Sequence, residues 1–170
     1  MDTNEAIENA NNKEYFLEKL KTNPELLDYA SDELKNDKEL VLTAIKADGG
    51  ALEFASDNLK NNKEVVLEAV KKVGWVICYA SDKLKDDKEV ILEGVKATGQ
   101  VLYYASERLR DNKQIVLEAV KNKGLILKYA SKRLRSDKEI AIEAIKQDKR
   151  AISYITDEIR NDEEIKQLLA

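Results

Sequence analysis

The fold of this chain is decided by residues 37–61, which read DKELVLTAIKADGGALEFASDNLKN. The same pattern recurs every 25 residues along most of the 170-residue chain. Its clearest landmark is an aromatic residue, followed in five of six cases by Ala-Ser, at positions 29, 54, 79, 104, 129 and 154. Tandem units of this size are typical of solenoids, because one unit cannot bury its own apolar face and must stack on its neighbours.

A long helix is predicted near the start of every unit. A side chain that caps a helix, followed three positions later by Glu or Gln, marks such a start because the two side chains satisfy unpaired backbone N–H groups. This spacing recurs with the period at Asn11/Glu14, Asn36/Glu39, Asn61/Glu64, Asp86/Glu89, Asp111/Gln114, Ser136/Glu139 and Asn161/Glu164. In the second unit Leu40, Val41, Ala44 and Ile45 follow, at the spacing of one buried helical face.

The rest of each unit is predicted to form a second, shorter helix. A glycine at positions 49, 74, 99 and 124 is expected to end the long helix in the left-handed conformation. The second helix is centred on Leu52, Phe54 and Ala55 in the unit quoted above, and Leu59 is expected to pin the connection to the next unit. We therefore predict an all-α solenoid of six and a half two-helix repeats of 25 residues.

The repeats are predicted to build one domain over residues 1–170. We expect an N-terminal cap at residues 1–11, repeats at residues 12–161 and a C-terminal capping helix at residues 162–170. The last helix has Lys166 and Gln167 where the other long helices are apolar, as the exposed end of a stack requires. The six repeats, numbered in chain order, are residues 12–36, 37–61, 62–86, 87–111, 112–136 and 137–161.

The repeat resembles a known family. The run from Asn36 to Leu42, the glycine at position 49, Leu52 and the triplet at 54–56 are similar to the repeat catalogued as domain of unknown function 4116. The resemblance extends over about nine tenths of the chain, and the matching positions are caps, core and turn. It implies an array of helical repeats and supplies no catalytic residue.

Composition argues against catalysis. Histidine is absent, which removes the commonest general base and metal ligand, and one cysteine cannot form a thiolate zinc site. We expect a protein that is not an enzyme and needs no cofactor or metal. No apolar run approaches the roughly 20 residues that span a bilayer, so we expect no membrane partner. The single cysteine fits a cytoplasmic protein, of its own cell or of a host if it is delivered as an effector.

Two departures from the common pattern are candidate binding surfaces, and the first is apolar. Val73, Trp75, Cys78 and Tyr103 stand where other repeats have mostly polar or small residues. An exposed apolar patch with an aromatic anchor is typical of an interaction hot spot. Local packing is the alternative interpretation.

The second departure is a concentration of positive charge in repeat 5. Seven basic residues and one acid give residues 112–136 a charge of +6, in a chain whose net charge is −4. The candidate anion-binding residues are Arg108, Arg110, Lys121, Lys123, Lys128, Lys132, Arg133 and Arg135. Such a patch suits an acidic protein or a nucleic-acid backbone. The alternative is a solvated face in a lysine-rich chain.

The favoured function is a non-enzymatic scaffold that mediates protein–protein interaction through Trp75, Tyr103 and nearby basic residues. The second hypothesis is binding of nucleic acid or another anionic partner through repeat 5, with nucleic acid the less favoured ligand. The third is structural self-association through the apolar patch around Trp75. We expect a monomer or a weak homo-oligomer.

Overall fold

The computed structural model describes residues 3–169, and every regular element within that range is a helix. The chain divides into two units, Met1–Leu84 and Lys85–Ala170. The first unit holds repeats 1 and 2 and most of repeat 3, and the second holds the end of repeat 3 and repeats 4–6. Residues 1–2 of the predicted N-terminal cap and Ala170 of the predicted capping helix lie outside the described residues. The tandem helical units confirm the predicted all-α solenoid fold class.

Each repeat contains a long α-helix, a 3₁₀ helix and a short α-helix, in that order. The long helices are Lys13–Lys19, Lys38–Ala47, Lys63–Lys72, Lys88–Ala97, Lys113–Asn122 and Lys138–Gln147. The 3₁₀ helices are Pro24–Tyr29, Gly49–Phe54, Gly74–Tyr79, Gly99–Tyr103, Gly124–Tyr129 and Lys149–Ser153. The short helices are Asp32–Lys35, Asp57–Lys60, Asp82–Lys85, Glu107–Arg110, Lys132–Arg135 and Asp157–Arg160. Two further helices, Thr3–Glu8 and Glu163–Leu169, lie at the ends. The second helix is thus of the 3₁₀ type, and the connection after it is a four-residue α-helix.

The apolar stripe of the long helices forms the core of both units. In repeat 2 the side chains of Leu40, Val41, Ala44 and Ile45 are completely buried, and the equivalent residues of repeats 3, 5 and 6 are buried as well. No polar or charged residue among the described ones is buried. The buried stripe of the long helices therefore lies at the positions that the helical period predicts, and buried residues of the other helices, such as Leu52 and Leu59, complete the core.

The predicted caps of the long helices are wrong by one position. The helix of repeat 2 is capped by Asp37, whose carboxylate accepts a hydrogen bond from the N–H of Leu40 at 3.1 Å. The caps of the other long helices are likewise one residue later than predicted, at Asn12, Asn62, Asp87, Asn112 and Asp137. Two adjacent residues can each act as a cap here, and the first, Asn36, closes the preceding short helix instead.

The residues predicted as caps of the long helices, such as Asn36, instead join neighbouring repeats. Asn36 Oδ1 accepts a hydrogen bond from the hydroxyl of Ser56, 20 residues later, at 2.7 Å. The same serine hydroxyl accepts from the N–H of Leu59 and so caps the short helix of its own repeat. A backbone bond of 3.0 Å from Ser56 N to the carbonyl of Lys35 completes the junction. The repeated serine is therefore structural, as expected for a residue with no accompanying base.

The role predicted for the glycines is also wrong. No described glycine has a positive φ, so the left-handed conformation is not used. Gly49 is instead the first residue of the 3₁₀ helix and is buried against the next repeat. A Cβ atom there would lie 2.8 Å from the carbonyl oxygen of Ala69. The glycine is required because two backbones approach closely.

Lysine side chains form a second connection between repeats. The amino group of Lys13 lies 2.7 Å from Asp37 and 2.9 Å from Glu39, in the helix start of the next repeat. The same kind of pair is formed by Lys38 with Glu64, by Lys113 with Asp137 and Glu139, and by Lys138 with Asp162 and Glu164. These carboxylates thus neutralise cations of the preceding repeat as well as marking the helix starts. The spacing in the sequence did not reveal this second use.

The two end helices differ from the helices between them. In the last helix Ile165 is fully buried, whereas Lys166 and Gln167 are exposed. At the other end, Ser31 N donates a hydrogen bond to the carbonyl of Ala10. In later repeats the equivalent serine N–H donates to a carbonyl of the preceding short helix, as Ser56 N does to Lys35.

No helix within residues 3–169 combines the length and the apolar character needed to cross a membrane.

Candidate binding surfaces

Three of the four predicted apolar residues belong to the first unit. Trp75 is 46% exposed, whereas Val73 and Cys78 are half-buried. The indole packs edge-on against the ring of Tyr79, with 5.9 Å between ring centroids. It also borders a groove of about 240 Å³ whose other walls include the ring of Phe54. Trp75 is therefore an exposed aromatic anchor beside a concave surface.

Tyr103, the fourth predicted apolar residue, lies in the second unit and is 54% exposed. Its ring contacts Tyr104 and Tyr129 edge-on, each with 4.9 Å between centroids. The amino group of Lys128 stands 4.7 Å from the centre of the Tyr129 ring. The structure thus joins Tyr103 to the basic repeat through the ring of Tyr129.

Three of the eight predicted anion-binding residues occupy positions that are basic in every repeat. Lys121 has an equivalent lysine in each of the other five, and Arg110 and Arg135 share a position that is always Lys or Arg. Lys121 lies in the last turn of a long helix, where a cation is favoured by the helix dipole. The Nε atoms of Arg110 and Arg135 are buried and have no hydrogen-bond partner among the described residues. These three residues belong to the common repeat.

Two more of the eight bridge repeats. Arg108 Nε lies 3.1 Å from the carboxylate of Asp86, and its terminal nitrogen donates to the Asp86 carbonyl at 2.6 Å. Ser106 donates to the same carboxylate. The bonds from Ser106 and Arg108 lower the pKa of Asp86 below its usual value. An equivalent arrangement is formed by Ser131, Arg133 and Asp111, with the same effect on the pKa of Asp111.

The three remaining residues, Lys123, Lys128 and Lys132, form the lysine edge of repeat 5. All three are exposed, and none forms an ion pair with another described residue. Hydrogen bonding to Tyr129 raises the pKa of Lys128. The positive charge of the lysine edge is not neutralised by ion pairs with described residues, and it is not part of the common repeat pattern.

Lys132 stands at a position that favours the opposite charge. It is the first residue of a short helix, and the equivalents in all the other repeats are Asp32, Asp57, Asp82, Glu107 and Asp157. The first turn of a helix favours a negative side chain. A lysine there does not stabilise the short helix.

Lys123 likewise replaces a residue that stabilises the fold. In repeat 2 the equivalent Asp48 caps the 3₁₀ helix by accepting a bond of 2.8 Å from the N–H of Gly50. Asp148 caps the 3₁₀ helix of repeat 6 in the same way, whereas Lys123 provides no side-chain cap. Val73, in repeat 3, also provides none.

Restoring this cap is expected to stabilise the protein. We predict that Lys123→Asp raises the free energy of unfolding by about 1 kcal/mol, the usual contribution of a capping side chain. Urea denaturation monitored by circular dichroism measures the change. Asp48→Lys is the matched control and should lower stability by a similar amount. A decrease in stability for both variants would contradict the capping argument.

No group of three or more potential metal ligands occurs within residues 3–169.

Comparison with known proteins supports the structural description. No curated protein and no solved structure matches the chain. The family model described as "Domain of unknown function (DUF4116)" matches five overlapping windows, at residues 12–60, 37–85, 62–110, 87–135 and 112–160. Each window spans two repeats and is shifted from the one before by one period. The matches extend over residues 12–160, so the chain belongs to the DUF4116 family of helical repeats.

Proposed function

We propose that this protein is a non-enzymatic scaffold that binds another protein through the surface around Trp75. The observation that carries the proposal is the 46% exposure of Trp75, at a position where the other repeats have Glu25, Gly50, Gln100, Leu125 and Arg150. The repeat therefore does not need an aromatic residue there. Exposed tryptophan is the side chain most typical of interaction hot spots.

The surroundings of Trp75 support the same function. The groove beside it is lined by Pro24, Phe54 and Ala51 together with the acids Glu25, Asp48 and Glu53. Apolar side chains bordered by polar ones are typical of a protein-binding site. Absence of histidine and the use of carboxylates as caps and inter-repeat pairs support a non-catalytic role.

Trp75 is the only tryptophan in the chain, so its fluorescence tests the proposal directly. We expect a partner isolated from the native source to shift the emission to shorter wavelength when the purified proteins are mixed. Trp75→Gln, which introduces the residue of repeat 4, should leave the melting temperature unchanged. The same variant should weaken binding at least 10-fold, equivalent to about 1.4 kcal/mol.

The matched control is Leu125→Gln, the same change at the equivalent position of repeat 5. It should not affect binding of this partner. Equal affinity of wild type and Trp75→Gln for every partner that the protein binds would refute the proposal.

A second candidate function is binding of an anionic partner through the lysine edge. It is supported by three exposed lysines that form no ion pair with a described residue, two of them at positions where other repeats carry acids that help the fold. Titration with single-stranded and duplex nucleic acid at several salt concentrations tests the nucleic-acid form of this hypothesis. Affinity that does not fall steeply with salt would exclude it.

A further inference from the structure

Repeats 2 and 5 carry opposite charges at the same three positions. Where repeat 5 has the lysine edge, repeat 2 has Asp48, Glu53 and Asp57, which we call the acidic edge. In both repeats the first residue precedes the 3₁₀ helix, the second is the penultimate residue of that helix, and the third begins the short helix. The two edges therefore present their charges with the same spacing on the same local backbone.

This charge pattern is confined to these two repeats. The same positions hold Asn23, Asp28 and Asp32 in repeat 1, Val73, Cys78 and Asp82 in repeat 3, Thr98, Tyr103 and Glu107 in repeat 4, and Asp148, Ser153 and Asp157 in repeat 6. Only repeat 2 has three acids and only repeat 5 has three bases. The common repeat does not require either set.

All six charged groups lie on the surface, although Asp48 also accepts the capping bond of Gly50 N and Lys128 stands over the Tyr129 ring. Each of these side chains is exposed, and none forms an ion pair with another described residue. Other charges of the same elements are paired, as Arg133 is with Asp111.

We propose that the lysine edge of one copy binds the acidic edge of a second copy of this chain. Complementary charge steers two such surfaces together and opposes contacts between like edges. The contact is weak and sensitive to salt, because each pair is formed by exposed side chains. Every copy carries both edges, so the contact closes into a dimer or continues as a chain, depending on the rotation between copies.

This inference names the anionic partner of the lysine edge and rests on the second candidate function. Asp48 and Glu53 also line the groove beside Trp75, but the contact uses their charges and not the indole. Trp75→Gln is expected to self-associate like the wild type. A loss of self-association in that variant would assign the contact to the aromatic surface and overturn the proposal.

Charge exchange between the edges provides the test, with sedimentation velocity of the full chain as the measurement. The first variant, Lys123→Asp with Lys128→Glu and Lys132→Asp, gives repeat 5 the residues of repeat 2. The second, Asp48→Lys with Glu53→Lys and Asp57→Lys, does the reverse. Each variant alone should self-associate at least 10-fold more weakly than the wild type. An equimolar mixture of the two should recover association, because each then supplies the edge that the other lacks.

Both triple variants use only residues that the fold already accepts at these positions, and circular dichroism and melting curves verify that they fold. Wild-type association should also weaken when salt rises from about 0.1 M to 1 M, since the screening length falls from about 10 Å to 3 Å. The proposal is overturned by a wild type that stays monomeric at high concentration and low salt, by variants that associate as strongly as the wild type, or by a mixture that does not recover association. Binding of nucleic acid to the lysine edge without self-association would likewise overturn it.

Discussion

Leu127→Ala is expected to lower the free energy of unfolding by about 4 kcal/mol, near the upper end of the range for buried leucines. Leu127 lies in the 3₁₀ helix of repeat 5, and its side chain is completely buried. This helix contacts the long helices of repeats 5 and 6 and the 3₁₀ helices of repeats 4 and 6. A cavity there would open between several packed elements, none of which can move inward without disturbing the next.

The same helix contains the control for this prediction. Leu125 is only half-buried and occupies the variable position that holds Trp75 in repeat 3. Leu125→Ala should cost less than about 1.5 kcal/mol, because less apolar surface is withdrawn from the core. Guanidinium or urea unfolding of the two variants measures the difference. Similar losses for both would show that the register of the 3₁₀ helix differs from the one described.

Gly49→Ala is expected to lower stability by about 3 kcal/mol, the upper part of the range for overpacked cores. The added methyl group would lie 2.8 Å from the carbonyl oxygen of Ala69 and 3.2 Å from the side chain of Val73. That carbonyl already accepts the bond from Val73 N that closes the long helix of repeat 3. The methyl therefore meets backbone that is held in place, and relief requires the two repeats to separate.

Gly50 is the neighbouring control. A Cβ atom at Gly50 would meet only the carboxylate of Asp48, at 3.2 Å. Neither glycine has a positive φ, so alanine fits the backbone at both positions. Gly50→Ala should be neutral or should stabilise by about 0.4–1 kcal/mol, because it reduces the freedom of the unfolded chain. Equal effects of the two substitutions on the midpoint of urea unfolding would contradict the close-approach argument.

The glycine at position 49 illustrates where sequence reasoning fell short. The period predicted correctly that the long helix ends there, and glycine is the usual residue for that purpose. The reason for glycine, however, lies in Ala69, 20 residues away, and not in the local backbone. Repeat 6 supports this explanation, because its equivalent residue, Lys149, is exposed near the end of the array.

For the basic residues too, the sequence revealed the local charge but not the contacts between distant residues. Counting charges identified repeat 5 correctly as the most basic part of the chain. It did not separate Arg108 and Arg133, which hold Asp86 and Asp111, from Lys128 and Lys132. Equivalent positions of the repeats can be compared from the sequence alone. The ion pairs could not be predicted from it, because each joins residues 22 positions apart.

The sequence by itself determined the 25-residue helical repeat and the buried stripe of the long helices. These properties depend on helical period and on hydrogen bonds within a few residues, which a sequence displays directly. Only the tertiary structure decided that Asp37 rather than Asn36 caps a long helix and that Gly49 serves packing. It also decided which charges remain exposed and unpaired. Each of these depends on atoms of the neighbouring repeat, whose positions follow from how the repeats stack.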